Sequence, residues 1–464
     1  MNTQRQRESL HWRLKPVPEL VRLAWPIAVS MLSYSVMTLV STLFVGRLGA
    51  NALAGVGLGG IAAFGLIVFG FGLLRSVKVV VSQATGAGRR GDIPVYLAAG
   101  IALALALGLL GIGAGRGLAA FLPRFSASAE AGHLAAEYLW WRNLGAPFVL
   151  VAVALREARY GLGDSRSPLV SALGANLCNI ALDALFILVL GLGVRGAGAA
   201  TALSHVVEAA LLVSASRRPG FAWARVRLRH VGTLLRLGVP LGLQFLLEIG
   251  AFAVLVVVLA GIGAVDLAAH QIALQLTHIS FLPALAVGEA ASVMVGQAVG
   301  AGQDGLVPKV ARRALLVATA YTGACALVFV AFAQLLAGAF TTDLAVRAVT
   351  VKLLWVAAAF QIFDGANAIA RCVLRGTGDV RYPAVIAVVI AWVSTPPLAW
   401  LLGVRLGWGA LGGWLGLCAE IVVGSSLLWW RLERGSWRKA AEASRERLAS
   451  EPGEEELVTA PVTG

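Results

Sequence analysis

The stretch Val81-Ser82-Gln83-Ala84-Thr85-Gly86-Ala87-Gly88-Arg89-Arg90-Gly91-Asp92-Ile93-Pro94 decides the fold, because it returns as Val295-Gly296-Gln297-Ala298-Val299-Gly300-Ala301-Gly302-Gln303-Asp304-Gly305-Leu306-Val307-Pro308, an offset of 214. The same offset carries Arg22-Leu23 and Pro26 to Arg236-Leu237 and Pro240, and Gly49-Ala50 and Ala54 to Gly263-Ala264 and Ala268. At offset 215, Arg156, Gly161, Gly163-Asp164, Arg166 and Pro168 return as Arg371, Gly376, Gly378-Asp379, Arg381 and Pro383. An offset held over this length marks an internal duplication.

Between these polar, glycine-rich marks the chain is apolar. It is 58% hydrophobic and 13% charged, against about 25% charged in a soluble domain. One globule cannot hide that much apolar surface from water, whereas a bilayer can face it. A spanning helix needs about 20 mostly apolar residues. The runs that meet this are 20–45, 52–82, 94–122, 134–159, 168–190, 195–215, 234–261, 267–299, 309–338, 346–374, 382–403 and 408–431. The expected fold is therefore an all-α integral membrane protein of twelve transmembrane helices. Six spans per half is an even number, so both halves enter from the same side and the repeat is parallel. The expected organisation is an N-terminal six-helix lobe over 1–215, a basic cytoplasmic linker over 216–233, a C-terminal six-helix lobe over 234–431, and a charged, unstructured cytoplasmic tail over 432–464.

Net charge is +14, which in a soluble chain would suggest nucleic acid. Here the lysines and arginines sort by loop. With the N-terminus in the cytoplasm, they cluster before the first span, at Arg89-Arg90, at Arg159 and Arg166, over 217–236, at Lys309, Arg312 and Arg313, at Arg371, Arg375 and Arg381, and after residue 430. The opposite loops hold only Arg47, Arg116, Arg124, Arg142, Arg195, Arg347, Lys352 and Arg405. This is the positive-inside rule of an inner membrane protein with both termini cytoplasmic, and it removes the need for a nucleic-acid partner. The first apolar run is too long for a signal peptide and is expected to stay as an anchor. Cys178, Cys325, Cys372 and Cys418 lie in apolar stretches without metal or disulfide spacing and read as packing residues.

Ionisable groups inside spans are costly and call for a reason. Glu248 lies midway along the seventh span and Asp364 in the tenth. Burial favours the protonated carboxyl and a nearby cation the ionised one, so two acids near one cavity suit a proton or Na⁺ site. Asn176, Asn179 and Asp183 recur at i, i+3, i+7 and share one face of the fifth span. That stripe points into a cavity or hydrogen-bonds a neighbouring helix. Gln244, Gln361, Tyr34 and Ser41 are further candidates to line a substrate cavity. Arg75 and Glu289 occupy equivalent positions of the two repeats; a bridge across the pseudo-axis or separate cavities would suit them, in a gating or structural role. Glu208 and Glu420 read as structural, and Glu157 as snorkelling beside Arg156. His205, His270 and His278 read as isolated packing residues. Gly55-Val56-Gly57-Leu58-Gly59-Gly60 has no preceding strand and opens a membrane helix, so it reads as helix packing. No Walker A motif, HExxH, GxSxG or Ser/His/Asp pattern occurs, so the chain reads as a non-enzyme without cofactor.

Leu23-Ala24-Trp25-Pro26 followed by Val45-Gly46-Arg47-Leu48-Gly49 resembles the first helix of the multidrug and toxic compound extrusion (MATE) family. Gln83–Gly88, Gly161-Leu162-Gly163-Asp164, Ala268-Ala269-His270-Gln271 and Arg375-Gly376-Thr377-Gly378-Asp379 resemble its motifs in order and spacing. The resemblance implies two lobes around a V-shaped cavity, and export of cationic or amphipathic small molecules in exchange for H⁺ or Na⁺. It also implies that Glu248 and Asp364 match the cation-coupling acids of the NorM-type branch, where Na⁺ could bind. Asn179 and Asp183 resemble the polar cluster of the DinF-type branch. The family's usual acid in the first helix is absent: the segment reads Val40-Ser41-Thr42, which shifts the expected coupling toward Glu248 and Asp364.

The expectation is a monomeric secondary transporter in the lipid bilayer of a bacterial inner membrane. A flippase or exporter of a lipid-linked or polysaccharide precursor is the main rival, because Arg75, Lys78 and Arg156 would make a cationic cavity for an anionic cargo. A membrane-embedded enzyme would need a nucleophile or metal constellation, and a scaffold would not need paired buried acids.

Overall fold

The computed structural model describes residues 10–126, 128–216 and 226–450, and these contain helices but no strand. The helices are α1 (Pro16–Gly46), α2 (Ala50–Gly86), α3 (Asp92–Ala119), α4 (Ala129–Asn143), α5 (Ala146–Gly161), α6 (Arg166–Asp183) and α7 (Gly193–Ser216). The second set is α8 (Leu228–Ile262), α9 (Ala264–Gly300), α10 (Leu306–Phe340), α11 (Leu344–Gly376), α12 (Arg381–Leu398), α13 (Ala410–Arg434) and α14 (Arg438–Ser450). Ala184–Val189 and Ala399–Arg405 prolong α6 and α12 as π-helix. Eleven helices are long and apolar enough to cross a membrane, or up to twelve when α4 and α5 count as one bent span.

That bend is 49°, and the sequence explains it. Pro147 sits in the first turn of α5, where a ring without an N–H disfavours a continuous helix before it. At offset 215 the second half has Ile362, and α11 runs unbroken through that position.

The repeated glycine motifs are helix stops. Gly88, Gly163, Gly302 and Gly378 all have positive φ, between 70° and 89°. Behind each runs the same pair of backbone bonds: Arg89 N–H to Ala84 and Gly88 N–H to Thr85, then Asp164 to Arg159 and Gly163 to Tyr160, Gln303 to Ala298 and Gly302 to Val299, and Asp379 to Leu374 and Gly378 to Arg375. This is the Schellman arrangement, which needs a left-handed residue and so selects glycine. It ends α2, α5, α9 and α11 alike. Two helix starts carry a side-chain cap at the residue before them: Ser128 accepts from Ala131 N–H, and Asp343 from Ala345 and Val346 N–H.

The described residues form two compact units, and the units do not follow the sequence halves. One holds residues 10–28 together with Leu243–Ser450; the other holds the described part of Val29–Gly242. Thus α1 gives its start to the unit built mainly from the second half, and α8 gives its start to the unit built from the first. In the former unit, Trp12 Nε1 donates to Gln297 Oε1 at 3.2 Å. In the latter, a Cβ on Gly72 would lie 2.6 Å from Leu241 O, and one on Gly238 would collide with Leu73 O. Only glycine lets α2 and α8 come this close. Gly55 and Gly59 do the same for α2 against α4, facing Ala131 O and Ala135 O, which is the helix packing expected of that glycine run. The core of the Leu243–Ser450 unit gathers Leu255, Ala273, Phe329, Leu354, Phe360 and Trp414.

Two expectations are corrected. Leu228–Thr233, expected in a linker, begin α8: His230 is buried, edge-on to Tyr96 at 4.8 Å. Residues 217–225 of the expected linker lie outside the described residues. The expected unstructured tail begins with the end of α13, to Arg434, and continues as α14. Trp437, Ala441, Ser444 and Leu448 are buried at i, i+4, i+7 and i+11, a helical stripe that the surrounding charges conceal. Arg445 Nη1 pairs with Asp304 Oδ1 at 2.7 Å, tying α14 to the loop after α9. Residues 451–464 lie outside the described residues.

Candidate functional site

Three polar clusters lie inside the apolar helices. The first is in the unit formed by Val29–Gly242. Ser41 Oγ on α1 is 2.5 Å from Asp183 Oδ2 and 3.0 Å from Asn179 Oδ1 on α6. Its single proton serves one acceptor at a time. One turn nearer the start of α6, Asn176 Nδ2 donates to Ser33 Oγ at 2.7 Å. Asp183 and Asn179 are fully buried. Asn176 Oδ1, Asn179 Nδ2 and Asp183 Oδ1 have no hydrogen-bond partner, so a buried carboxylate and two amides keep capacity for a ligand. The face that the i, i+3, i+7 spacing defines is brought together with Ser41.

The second cluster is in the same unit. Tyr34 O–H donates to Glu208 Oε1 at 2.5 Å, and Arg156 Nη1 lies 3.3 Å from that oxygen and 3.4 Å from the Tyr34 hydroxyl. His205 Nδ1 is 3.9 Å from Glu208 Oε2. Glu208 is therefore an ion-paired acid in mid-α7, neither at a helix end nor alone, and His205 is not isolated. Beside it, Glu157 does not snorkel. It is buried and pairs with buried Lys78 at 3.4 Å.

The third cluster is in the Leu243–Ser450 unit. Arg371 Nη1 on α11 binds Glu248 Oε1 on α8 at 2.7 Å, and Gln244 Nε2 donates to the same oxygen at 3.2 Å. Arg375 Nη2 in turn donates to Gln244 Oε1 at 3.1 Å. Arg371 Nε donates to Asn367 Oδ1 at 2.5 Å, one turn back on its own helix. Asp364, half-buried, lies within electrostatic reach of Arg371 and Glu420, and Glu420 accepts from Thr395 Oγ1. Arg371, which the charge pattern assigns to a loop, lies inside α11 and is the hub of this cluster. Three carboxylates surround one guanidinium. The signal for it was in the repeat: Arg156 and Arg371 are equivalent at offset 215, and Glu208 and Glu420 at offset 212.

The remaining candidates sit apart from these acids. Gln361 accepts from Ser280 Oγ at 2.5 Å and donates to Thr322 O at 3.0 Å, bridging α9, α10 and α11. Glu289 is buried and accepts from Cys372 Sγ at 3.7 Å, while Arg75 is half-buried on α2. His270 is buried and accepts at Nδ1 from Trp414 Nε1 at 3.1 Å, as a packing residue would.

Comparison with known proteins follows the same repeat. The family model MatE matches residues 26–185 and again 240–401. The chain is 31% identical over 436 residues to the probable multidrug resistance protein NorM of Pseudomonas putida, covering 89% of this chain and 94% of that protein. It is 32% identical over 448 residues to the protein of the same description from Mesorhizobium japonicum, covering 91% and 95%. A solved structure described as the outward-facing conformation of a multidrug resistance MATE family transporter aligns with a TM-score of 0.84 at 23% identity, over 92% of this chain and 97% of that one. At that identity the likeness is one of fold.

Proposed function

Because this chain belongs to the MatE family, whose members are transporters and not enzymes, we propose that it is a secondary active multidrug efflux antiporter of a bacterial inner membrane. It exports cationic or amphipathic compounds in exchange for H⁺ or Na⁺ and works as a monomer with both termini in the cytoplasm. The names of the NorM relatives support the multidrug reading, and the distribution of lysine and arginine supports the orientation.

The observation that carries the coupling is the cluster of Glu248, Asp364 and Glu420 around Arg371 inside spanning helices. Unpaired carboxylates in that position are costly without a cation, so one acid can trade a proton or Na⁺ for a cationic cargo. Binding of the coupling ion at Glu248 and Asp364 neutralises the site and disfavours a like-charged substrate. Each charge moved inward gains about 2.3 kcal/mol per 100 mV. Asp183 and Asn179 offer a second cation site, with unsatisfied oxygen on Asp183. Asn176, Ser41, Tyr34, Gln244 and Gln361 are assigned to the substrate path, and Arg75 and Glu289 to gating or structural support.

Export of an anionic lipid-linked precursor would need free positive charge. Lys78 is paired with Glu157 and Arg156 with Glu208, which disfavours that reading. Transport of ethidium, a permanently cationic dye, should be measured in proteoliposomes under imposed pH or Na⁺ gradients. One gradient is expected to drive uptake against the dye gradient, and Glu248→Gln or Asp364→Asn to abolish the drive. Undiminished transport in both variants would falsify the coupling assignment.

A further inference from the structure

Arg371 and Arg156 are equivalent by duplication, yet they bind different partners. In the first half Arg156 sits on Glu208, at 3.3 Å, with Tyr34 closing the group. There Tyr34 and Val149 occupy the positions that Glu248 and Asp364 hold in the second half. The first-half group thus pairs one guanidinium with one carboxylate, which His205 also approaches at 3.9 Å, while the neighbouring Glu157 is paired with Lys78. In the second half the equivalent acid is Glu420, but Arg371 lies on Glu248 at 2.7 Å, and Glu420 accepts from Thr395 instead. Beside Asp364 on its own helix, the guanidinium therefore has two acids on other helices to choose between, Glu248 and Glu420. It rests on the acid that the first half lacks, and the acid that both halves share is the one its repeat-mate uses. Its Nε is held by Asn367, so only the distal nitrogens need to move. The Arg371–Glu248 pair is not sealed: each side chain keeps 22% of its surface exposed, which leaves a path for an incoming ion.

We propose that Arg371 is a tethered competitor of the coupling cation, a specificity-determining residue that holds Glu248 until an ion takes that carboxylate and then retires onto Glu420. The inference rests on the coupling role proposed above for Glu248 and Asp364. It goes further in assigning what neutralises Glu248 in the ion's absence. A resident cation avoids leaving a bare intramembrane carboxylate after ion release, and it raises the ion concentration needed for exchange. The charged and titratable groups around the exchange are Glu248 on α8, Asp364, Cys372 and Arg375 on α11, and Glu420 on α13.

The test uses the full-length protein in detergent with ethidium as probe. Bound ethidium is titrated with Na⁺ at fixed pH, and with protons in Na⁺-free buffer, to find the midpoint of displacement. Loss of the resident competitor in Arg371→Gln should bring the midpoint to about tenfold lower ion concentration. Arg371→Lys, which keeps the charge, should stay within about twofold of the parent. Glu420→Gln leaves the Arg371–Glu248 pair in place but removes the retreat, and should move the midpoint the opposite way, to higher ion concentration. A merely structural pair would not give opposite shifts, and Glu420→Gln carries the test alone if Arg371→Gln fails to fold. Unchanged midpoints in Arg371→Gln and Glu420→Gln, or shifts of the same sign, overturn the proposal while leaving the coupling assignment standing. Displacement that survives in Glu248→Gln with the parent's midpoint would instead remove the coupling assignment, and this inference with it.

Discussion

Lys78 and Glu157 pair at 3.4 Å with both side chains almost sealed from solvent. Removing one partner of such a pair leaves an uncompensated charge, at a cost of about 3–5 kcal/mol, whereas an apolar pair of similar volume is often neutral. Lys78→Met should therefore lower the thermal midpoint in detergent sharply, and Lys78→Met with Glu157→Leu should recover most of the loss. Ser41 makes a smaller case. Its hydroxyl is the hydrogen-bond donor at Asp183, and leaving a buried acceptor unsatisfied costs about 1–3 kcal/mol. Ser41→Ala should destabilise in thermal melts, and Ser41→Thr, which keeps the hydroxyl, should not. At this scale the acids were legible in the sequence, because a carboxylate in an apolar run stands out by itself. Their partners were not. Arg371 is five residues from the end of α11 and reads as a loop cation; its partner Glu248 is 123 positions away, and no local pattern links the two.

The Schellman stops of α2, α5, α9 and α11 are devices of whole elements. A Cβ on Gly302 would meet nothing within 4 Å, and neither would one on Gly305. Only Gly302 has positive φ, at 70°. Gly302→Ala should therefore cost about 1–2 kcal/mol through backbone strain alone, and Gly305→Ala should be nearly silent; paired thermal melts read the difference. Helix α14 makes a second prediction. Trp437 is fully buried, and truncating a buried aromatic costs about 3–5 kcal/mol, so Trp437→Ala should loosen α14 and raise hydrogen exchange across 438–450. The twelve spans were readable because a bilayer imposes length and apolarity on each. The bend between α4 and α5 was not read, although Pro147 announces it, because the apolar run continues across the break. Helix α14 escaped because its charged residues mask a stripe of only Trp437, Ala441, Ser444 and Leu448.

For the whole molecule, the assignment of residues 10–28 to the unit of Leu243–Ser450, and of 228–242 to the other unit, means that neither half carries all of its own core. Leu20 and Leu23 are buried in the first case, and Leu234 and Leu241 in the second. Expressed separately, 1–216 and 226–464 should each be unstable and degraded; expressed together, they should assemble and elute as one species in size-exclusion chromatography. A stable, monodisperse half on its own would contradict this. The duplication itself was plain from the constant offset. The exchange of the first segments was not, because both copies of Arg-Leu-x-x-Pro fit either unit equally well on sequence grounds.

That exchange changes where the protein can be cut and rejoined. A hybrid gene made by crossing two paralogues at the basic stretch near residue 220 would graft each first segment onto a unit it did not evolve beside. The natural seams lie at 28/29 and 242/243. They are a repeat length apart, each two residues past Pro26 and Pro240. Recombination that respects those seams moves an intact body from parent to parent; recombination at the loop does not. The same seams bound what an ancestral half-length gene could have been: two copies of its product would complete their cores by trading the starts of their first helices.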